Sequence, residues 1–215
     1  MVVLLRKLVV WFLDLLYEQF AFAYDFVAFL VSMGDWYHWT YKIIDYLEIN
    51  DSILEVGIGT GKLIKHMNGR GYSVIGCDRS KQMIKLTNSK SHLNNLKIVR
   101  ADNKFLPFAS TKFSKIISTF PSKYIFDPAF QNEVMRCLSS NGELIILYCV
   151  IFSSKNIINK LFRFIYQLSG MTTSKENIES SIYTFFEDRE NLMIEWKTYK
   201  NVELCFIRIK NCLSV

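Results

Sequence analysis

Three prolines and nine glycines are all that punctuate 215 residues. So few breakers exclude collagen-like, low-complexity and linker-rich chains. The five cysteines, Cys77, Cys137, Cys149, Cys205 and Cys212, are odd in number and form no C-x-x-C pair. That excludes a disulfide framework and leaves small core residues in a reducing compartment. His38, His66 and His92 stand far apart, without the spacing of metal ligands, so no metal is expected. Basic residues exceed acidic ones by six, yet they are scattered. No nucleic-acid partner is indicated, and attraction to an anionic membrane surface is equally allowed. A clean run long enough to cross a bilayer is also missing. Arg6, Lys7, Asp14, Glu18 and Asp25 interrupt the apolar N-terminal stretch, and no small-residue cleavage site follows it.

What is present is apolar mass. Half of the residues are hydrophobic, enough for a single domain with a sizeable core. The stretch from Met1 to Met33 leaves only a narrow polar stripe of Lys7, Asp14 and Glu18 at helical spacing. Such a helix either lies in a membrane interface, covers an apolar pocket, or packs on its own domain or a second subunit.

The glycines are concentrated where they matter. Ser52 to Val56 is an apolar run suited to a buried parallel strand, and Gly57, Gly59 and Gly61 follow at once. Lys62 to Asn68 has helical spacing, with Leu63, Ile64 and Met67 on one face. Ser73 to Cys77 is a second apolar run, ending in Asp78. A strand, glycine turn, helix, strand and carboxylate in this order make a β-α-β nucleotide site. Glycine lets backbone N–H groups approach a ligand, the helix start offers unpaired N–H groups, and the carboxylate can accept from a ribose diol. The dinucleotide fingerprint G-x-G-x-x-G fails, because its third position is Lys62. A glycine turn in an unrelated α/β protein is the competing reading.

The pattern Glu55-x-Gly57-x-Gly59-Thr60-Gly61 resembles motif I of the class I S-adenosylmethionine-dependent methyltransferases. The resemblance implies that Asp78 holds the ribose diol. It implies that the turn, Thr60 included, faces the methionine end of the cofactor, and that Glu55 acts through the loop and the amino group. Further segments resemble the ubiquinone and menaquinone biosynthesis methyltransferases: Tyr24-Asp25 with Trp36 and Trp39 after it, Leu106-Pro107-Phe108, and Glu133-x-x-Arg136. Tyr24 is then expected to reach the cofactor. Asp102 and Asn103, after a third strand at Leu96 to Val99, are expected to hold the adenine. Ser118, at the end of a fourth strand from Phe113 to Thr119, is expected where cofactor and acceptor meet.

The rest of the chain reads as helices over Tyr41 to Leu47, from Ser80 through Leu86, Phe130 to Leu138 and Asn156 to Leu168. A turn is expected at Ser139 to Gly142, a fifth strand at Glu143 to Val150, and a polar loop at Gly170 to Ser181. A terminal antiparallel pair is expected at Leu192 to Tyr199 and Val202 to Lys210. The expected fold is α/β, a Rossmann-like doubly wound, mostly parallel sheet with an antiparallel C-terminal pair. Residues 1–47 are expected to be apolar helices of the same domain, a lid or a membrane or oligomer contact, ahead of a methyltransferase domain at 48–215. The expected activity is methyl transfer from S-adenosylmethionine to a small apolar or aromatic acceptor, quinone- or lipid-like, in the cytoplasm or at a membrane surface. Two rivals stand beside it: a methyltransferase of a polar metabolite or protein whose N-terminal helix is a dimer surface, and a non-catalytic nucleoside-binding or scaffold protein. No residue declares itself as a catalytic base. His38 and Tyr124 adjoin the expected pocket regions without further support. Ser118 to Tyr124 lacks the Asn-Pro-Pro-Tyr type of motif, which argues against methylation of DNA adenine or protein glutamine.

Overall fold

A computed structural model describes residue 32 and residues 34–89, 96–152, 174–186 and 191–212. Strand β1 (Ser52–Val56) leads through the glycine turn to helix α2 (Lys62–Gly69). Strand β2 (Ser73–Asp78), helix α3 (Lys81–Ser89) and strand β3 (Lys97–Arg100) follow. Strand β4 (Phe113–Thr119), helix α4 (Pro128–Cys137) and strand β5 (Leu138–Phe152) complete the parallel part. Helix α5 (Lys175–Phe185) and strands β6 (Leu192–Tyr199) and β7 (Val202–Lys210) close the fold. Ahead of β1 stand helix α1 (Trp36–Tyr41) and a 3₁₀ turn, Lys42–Tyr46.

The seven strands are ordered β3-β2-β1-β4-β5-β7-β6. Strands β1 to β5 pair in parallel, and β7 runs antiparallel to both β5 and β6. The central strands are buried on both faces, which is why they read as continuous apolar runs. Side chains alternate between two cores. Ile53, Ile117, Ile145 and Phe206 meet Trp39, Ile43, Leu63 and Met67 on one face. Leu54, Ile116, Ile146 and Ile207 meet Phe130, Val134, Ile178 and Ile182 on the other. The strand order reverses at β1, between β2 and β4, so a crevice opens at the carboxyl ends of those strands.

Three sequence expectations change. Ser174 to Ser181 lies in a loop's cap and a helix: the Ser174 hydroxyl caps α5 by accepting the Asn177 N–H at 3.3 Å. Its seven polar residues hid a buried pair, Ile178 and Ile182, four apart on one face. The Ser139–Gly142 turn exists, but inside β5. The register there jumps from Phe113 opposite Leu138 to Lys115 opposite Glu143, and Asn141 takes φ 62°. Asn211, just after β7, fastens it by donating from its side chain to the Leu138 and Ser139 carbonyls. Tyr41 to Leu47 is mostly a 3₁₀ turn rather than an α-helix. The expected helix at Asn156 to Leu168 and the apolar stretch before Ser32 lie outside the described residues. All five cysteines are free, three of them fully buried. No described helix is long and apolar enough to cross a membrane.

A row of charges crosses the sheet. Lys115 on β4 and Arg208 on β7 both reach Glu143 on β5 at 2.7 Å, and Arg208 extends to Glu195 on β6 at 3.5 Å. The Glu143 side chain is only 4% exposed, so its two cations are what make a buried carboxylate tolerable there.

Candidate functional site

The carboxyl ends of β1 and β2 build the site. All three glycines of the turn have positive φ, 78° at Gly57, 52° at Gly59 and 73° at Gly61, so residues with a Cβ are strained at each. The loop is tied down by backbone. The Gly57 and Ile58 N–H groups donate to the Cys77 carbonyl at 2.8 and 3.2 Å, and Gly61 donates to Ile58 at 2.9 Å. An added Cβ at Gly59 would meet only open space, so the loop's approachable edge is there. At Gly61 it would lie 2.1 Å from the Thr87 methyl. The Thr87 hydroxyl lies within reach of the Met83 carbonyl at 2.9 Å and the Gly59 carbonyl at 3.2 Å, joining α3 to the turn. Gly61 also caps α2 without any side-chain acceptor, so the first N–H groups of that helix are not capped by it.

Gly61→Ala should therefore lower stability by about 2 kcal/mol, from positive-φ strain and overpacking together. Adding Thr87→Ala should recover the packing part alone. Chemical denaturation of the single and double variants separates the two. A single variant as stable as the parent would mean that the turn yields freely.

Asp78 is 2% exposed. Its Oδ2 accepts the Gly59 N–H at 3.0 Å, its Oδ1 accepts the Ser80 N–H at 2.8 Å, and its backbone carbonyl accepts the Ala101 N–H at 3.1 Å. One residue thus links the glycine turn, the start of α3 and the end of β3. Glu55, 1% exposed on β1, has an Oε2 without a hydrogen-bond partner. Burial, and then the Asp78 carboxylate, push the Glu55 carboxyl well above its ordinary value of 4.5.

A carboxyl raised by folding contributes most to stability below pH 4.5, and that contribution is lost as pH rises through the folded value. Glu55→Gln should then stabilise the fold at neutral pH by about 1–2 kcal/mol, with the difference vanishing near pH 4. Thermal melts across that window check the sign. A variant less stable at pH 7 would mean that Glu55 is charged and partnered.

Ser118 is fully buried and serves the frame. Its hydroxyl lies 2.8 Å from the Val56 carbonyl and 2.8 Å from the Tyr124 hydroxyl, which stands 3.3 Å from the same carbonyl, so the two hydroxyls share one backbone acceptor. Tyr124 Oη would sit 2.9 Å from a Cβ on Gly57, so this phenol closes the floor of the turn. Burial pushes the Tyr124 phenol up, away from any role as a base at neutral pH. Thr60 is buried in the turn. Asp102 is exposed and caps its own loop, accepting the Lys104 N–H at 3.0 Å, with Asn103 beside it. Tyr24 lies outside the described residues. His38 is exposed on α1 and lines a separate cleft.

Several contributors carry no local sequence signal, Thr87 and Tyr124 among them. The Glu133–Arg136 pair does carry one, and its work is now visible. Arg136 donates to the Leu106 and Phe108 carbonyls at 2.9 and 2.7 Å, and Glu133 accepts the Leu106 N–H at 2.8 Å. The pair clamps the loop that follows Asp102 and Asn103. Phe120, at the end of β4, holds φ 46° and packs its ring 4.3 Å from Trp36. Among the described residues, no three His, Cys, Asp or Glu side chains gather to hold a metal.

Known proteins agree with this geometry. The family model for a methyltransferase domain matches residues 53–142. A demethylmenaquinone methyltransferase of Paenarthrobacter aurescens is 25% identical over 134 residues, covering 61% of this chain and 52% of the relative. An uncharacterized protein of Methanocaldococcus jannaschii is 32% identical over 114 residues, covering 53% of this chain and 43% of the relative. The chain thus matches about half the length of these relatives. A Thermotoga maritima structure described as a methyltransferase, possibly a histamine N-methyltransferase, superposes with a TM-score of 0.60 at 16% identity, covering 91% of this chain and 97% of that one. The match begins in β1 and spans the glycine turn, Asp78 and the clamped loop: the chain resembles the class I S-adenosylmethionine-dependent methyltransferases of the ubiquinone and menaquinone biosynthesis type, with a methyltransferase domain at residues 53–142.

Proposed function

We propose that this chain transfers a methyl group from S-adenosylmethionine to a small, apolar or aromatic acceptor, quinone- or lipid-like. The observation that carries the reading is the join of the positive-φ glycine turn to the buried Asp78, with an orphaned Glu55 oxygen beside them. An unpartnered buried carboxyl oxygen fits the amino group of an amino-acid moiety. The open edge at Gly59 fits close approach of a ligand. In this reading Asp78 takes the ribose diol, Asp102 and Asn103 the adenine edge, and Thr60 and the glycines the methionine end. Ser118 and Tyr124 shape the floor, and Tyr24 joins from the N-terminal stretch. Residues 1–47 act as a lid on the domain at 48–215.

When bound, the cofactor supplies an electrophilic sulfonium methyl. The protein's task is then to align a nucleophile within about 3–3.5 Å and exclude water. Aromatic rings line the carboxyl side of the sheet for that purpose. Phe126 contacts Tyr148 at 5.7 Å and Phe185 at 4.4 Å between ring centroids, and Phe185 is 52% exposed. These rings, the apolar N-terminal sequence and the likeness to a demethylmenaquinone methyltransferase support an apolar acceptor.

The test is transfer of labelled methyl to lipid and polar extracts by the purified chain. Label in the lipid fraction is expected. Label in the polar fraction alone would replace the acceptor with a polar one. Cofactor binding without any transfer would favour a non-catalytic nucleoside-binding protein.

A further inference from the structure

A second cavity lies away from the glycine turn, with a volume of about 240 Å³. Its walls come from α1 and the 3₁₀ turn, from the far end of α2, and from the end of β6. Arg70, Lys42, His38, His66, Tyr41 and Tyr199 line it, and Asp45 is the one acid among its described residues.

The hydrogen-bonding character of this lining is one-sided. The guanidinium and the ammonium are donors only, and the imidazoles and phenols each carry a donor. Asp45 meets Lys42 at 3.9 Å with both side chains well exposed, an arrangement that neutralises little. Arg70 has no ion pair among the described residues, and its charge is felt by both Tyr41 and His66. Tyr41 and His66 stack at 3.9 Å with an interplanar angle of 11°, which fixes the imidazole at the cavity wall. The carbonyl end of α2 opposes an anion here, but its partial charge is about half a unit. Two full cations outweigh it.

We propose that this cleft binds the phosphate group of an anionic ligand, with Arg70 and Lys42 as its charged donors and the His66 imidazole, held by Tyr41, as a further donor. Arg70 suits phosphate because its planar fork can give two parallel hydrogen bonds. His66 lies on the same helix whose first turn borders the glycine loop. The two sites sit at opposite ends of α2, an eight-residue helix about 12 Å long. The cleft is thus separate from the cofactor site and is joined to it by one short rigid element. Two sources supply this chemistry: a soluble phosphate ester or the headgroup of an anionic lipid.

The test uses the full chain and the Arg70→Gln and Lys42→Gln variants. Inorganic phosphate and phenyl phosphate are titrated while the imidazole resonances of His38 and His66 are followed by NMR. Sodium chloride at matched ionic strength serves as the control. A second arm measures sedimentation with phosphatidylcholine vesicles, with and without phosphatidic acid. Binding that shifts both histidines and weakens roughly tenfold in Arg70→Gln is expected, as loss of a charge-assisted hydrogen bond implies. The variants should melt as the parent does, since Arg70 is exposed and Lys42 half-exposed, and should keep cofactor affinity. Response to the soluble probes identifies a soluble ester as the source. Response only to phosphatidic acid vesicles, lost in Arg70→Gln, identifies a lipid headgroup. No shift with any probe, or equal binding by parent and variants, overturns the site.

Discussion

Asp78→Ala is expected to weaken cofactor binding by about 1.5–3 kcal/mol, roughly 10- to 150-fold, and to destabilise the fold as well. The first effect is loss of the acceptor assigned to the ribose diol. The second comes from the Gly59 and Ser80 N–H groups, which donate to the two carboxylate oxygens at 3.0 and 2.8 Å. Stranded donors cost about 1–3 kcal/mol each when water cannot replace the partner. Ser80 is buried and Gly59 is half-buried, so about 2–3 kcal/mol in total is expected. Asp78→Asn keeps one acceptor oxygen but turns an amide donor toward one of the N–H groups, and should fall between parent and alanine variant. Calorimetric titration with S-adenosylmethionine and urea unfolding read the two effects separately. A folded Asp78→Ala with unchanged affinity would remove Asp78 from the cofactor site.

Glu143→Ala is expected to cost about 3 kcal/mol of stability. It leaves Lys115 without its carboxylate and Arg208 with only Glu195, at 3.5 Å. The figure sits at the low edge of what breaking a buried pair costs, because both cations are 21% exposed and water can reach them. Replacing all three residues together (K115M, E143L and R208M) should recover most of the loss, since desolvating the charges is itself unfavourable. Urea midpoints of the single and triple variants decide the matter. A single variant within about 0.5 kcal/mol of the parent, the ordinary surface range, would make the row a solvated face. Cofactor affinity should be unchanged in any folded variant, because Glu143 lies at the amino end of the parallel part of β5, away from the glycine turn.

The glycine turn was legible in the sequence because its information is local. Three alternating glycines can only follow a strand as a turn with positive φ, and an acid ending the next apolar run lies beside that turn in any parallel β-α-β unit. Strands β1, β4, β6 and β7 begin and end at the expected residues for the same reason: their apolar runs are bounded by turn chemistry. Helix α5 was missed because the stretch is dominated by Ser, Lys, Glu and Asn. Only its contact with the sheet gives Ile178 and Ile182 a face to bury.

The order of elements, the glycine turn and the chemical character of Asp78 and Glu55 all follow from neighbours in the chain, where spacing alone sets geometry. Which side chains complete the site did not. Ser118 closes on Val56 across 62 positions, and Thr87 fills the space that Gly61 leaves. The phosphate cleft draws on four separate elements. Such partners are selected by strand order and helix packing, which depend on burying both faces of the sheet at once, and no local spacing encodes that choice.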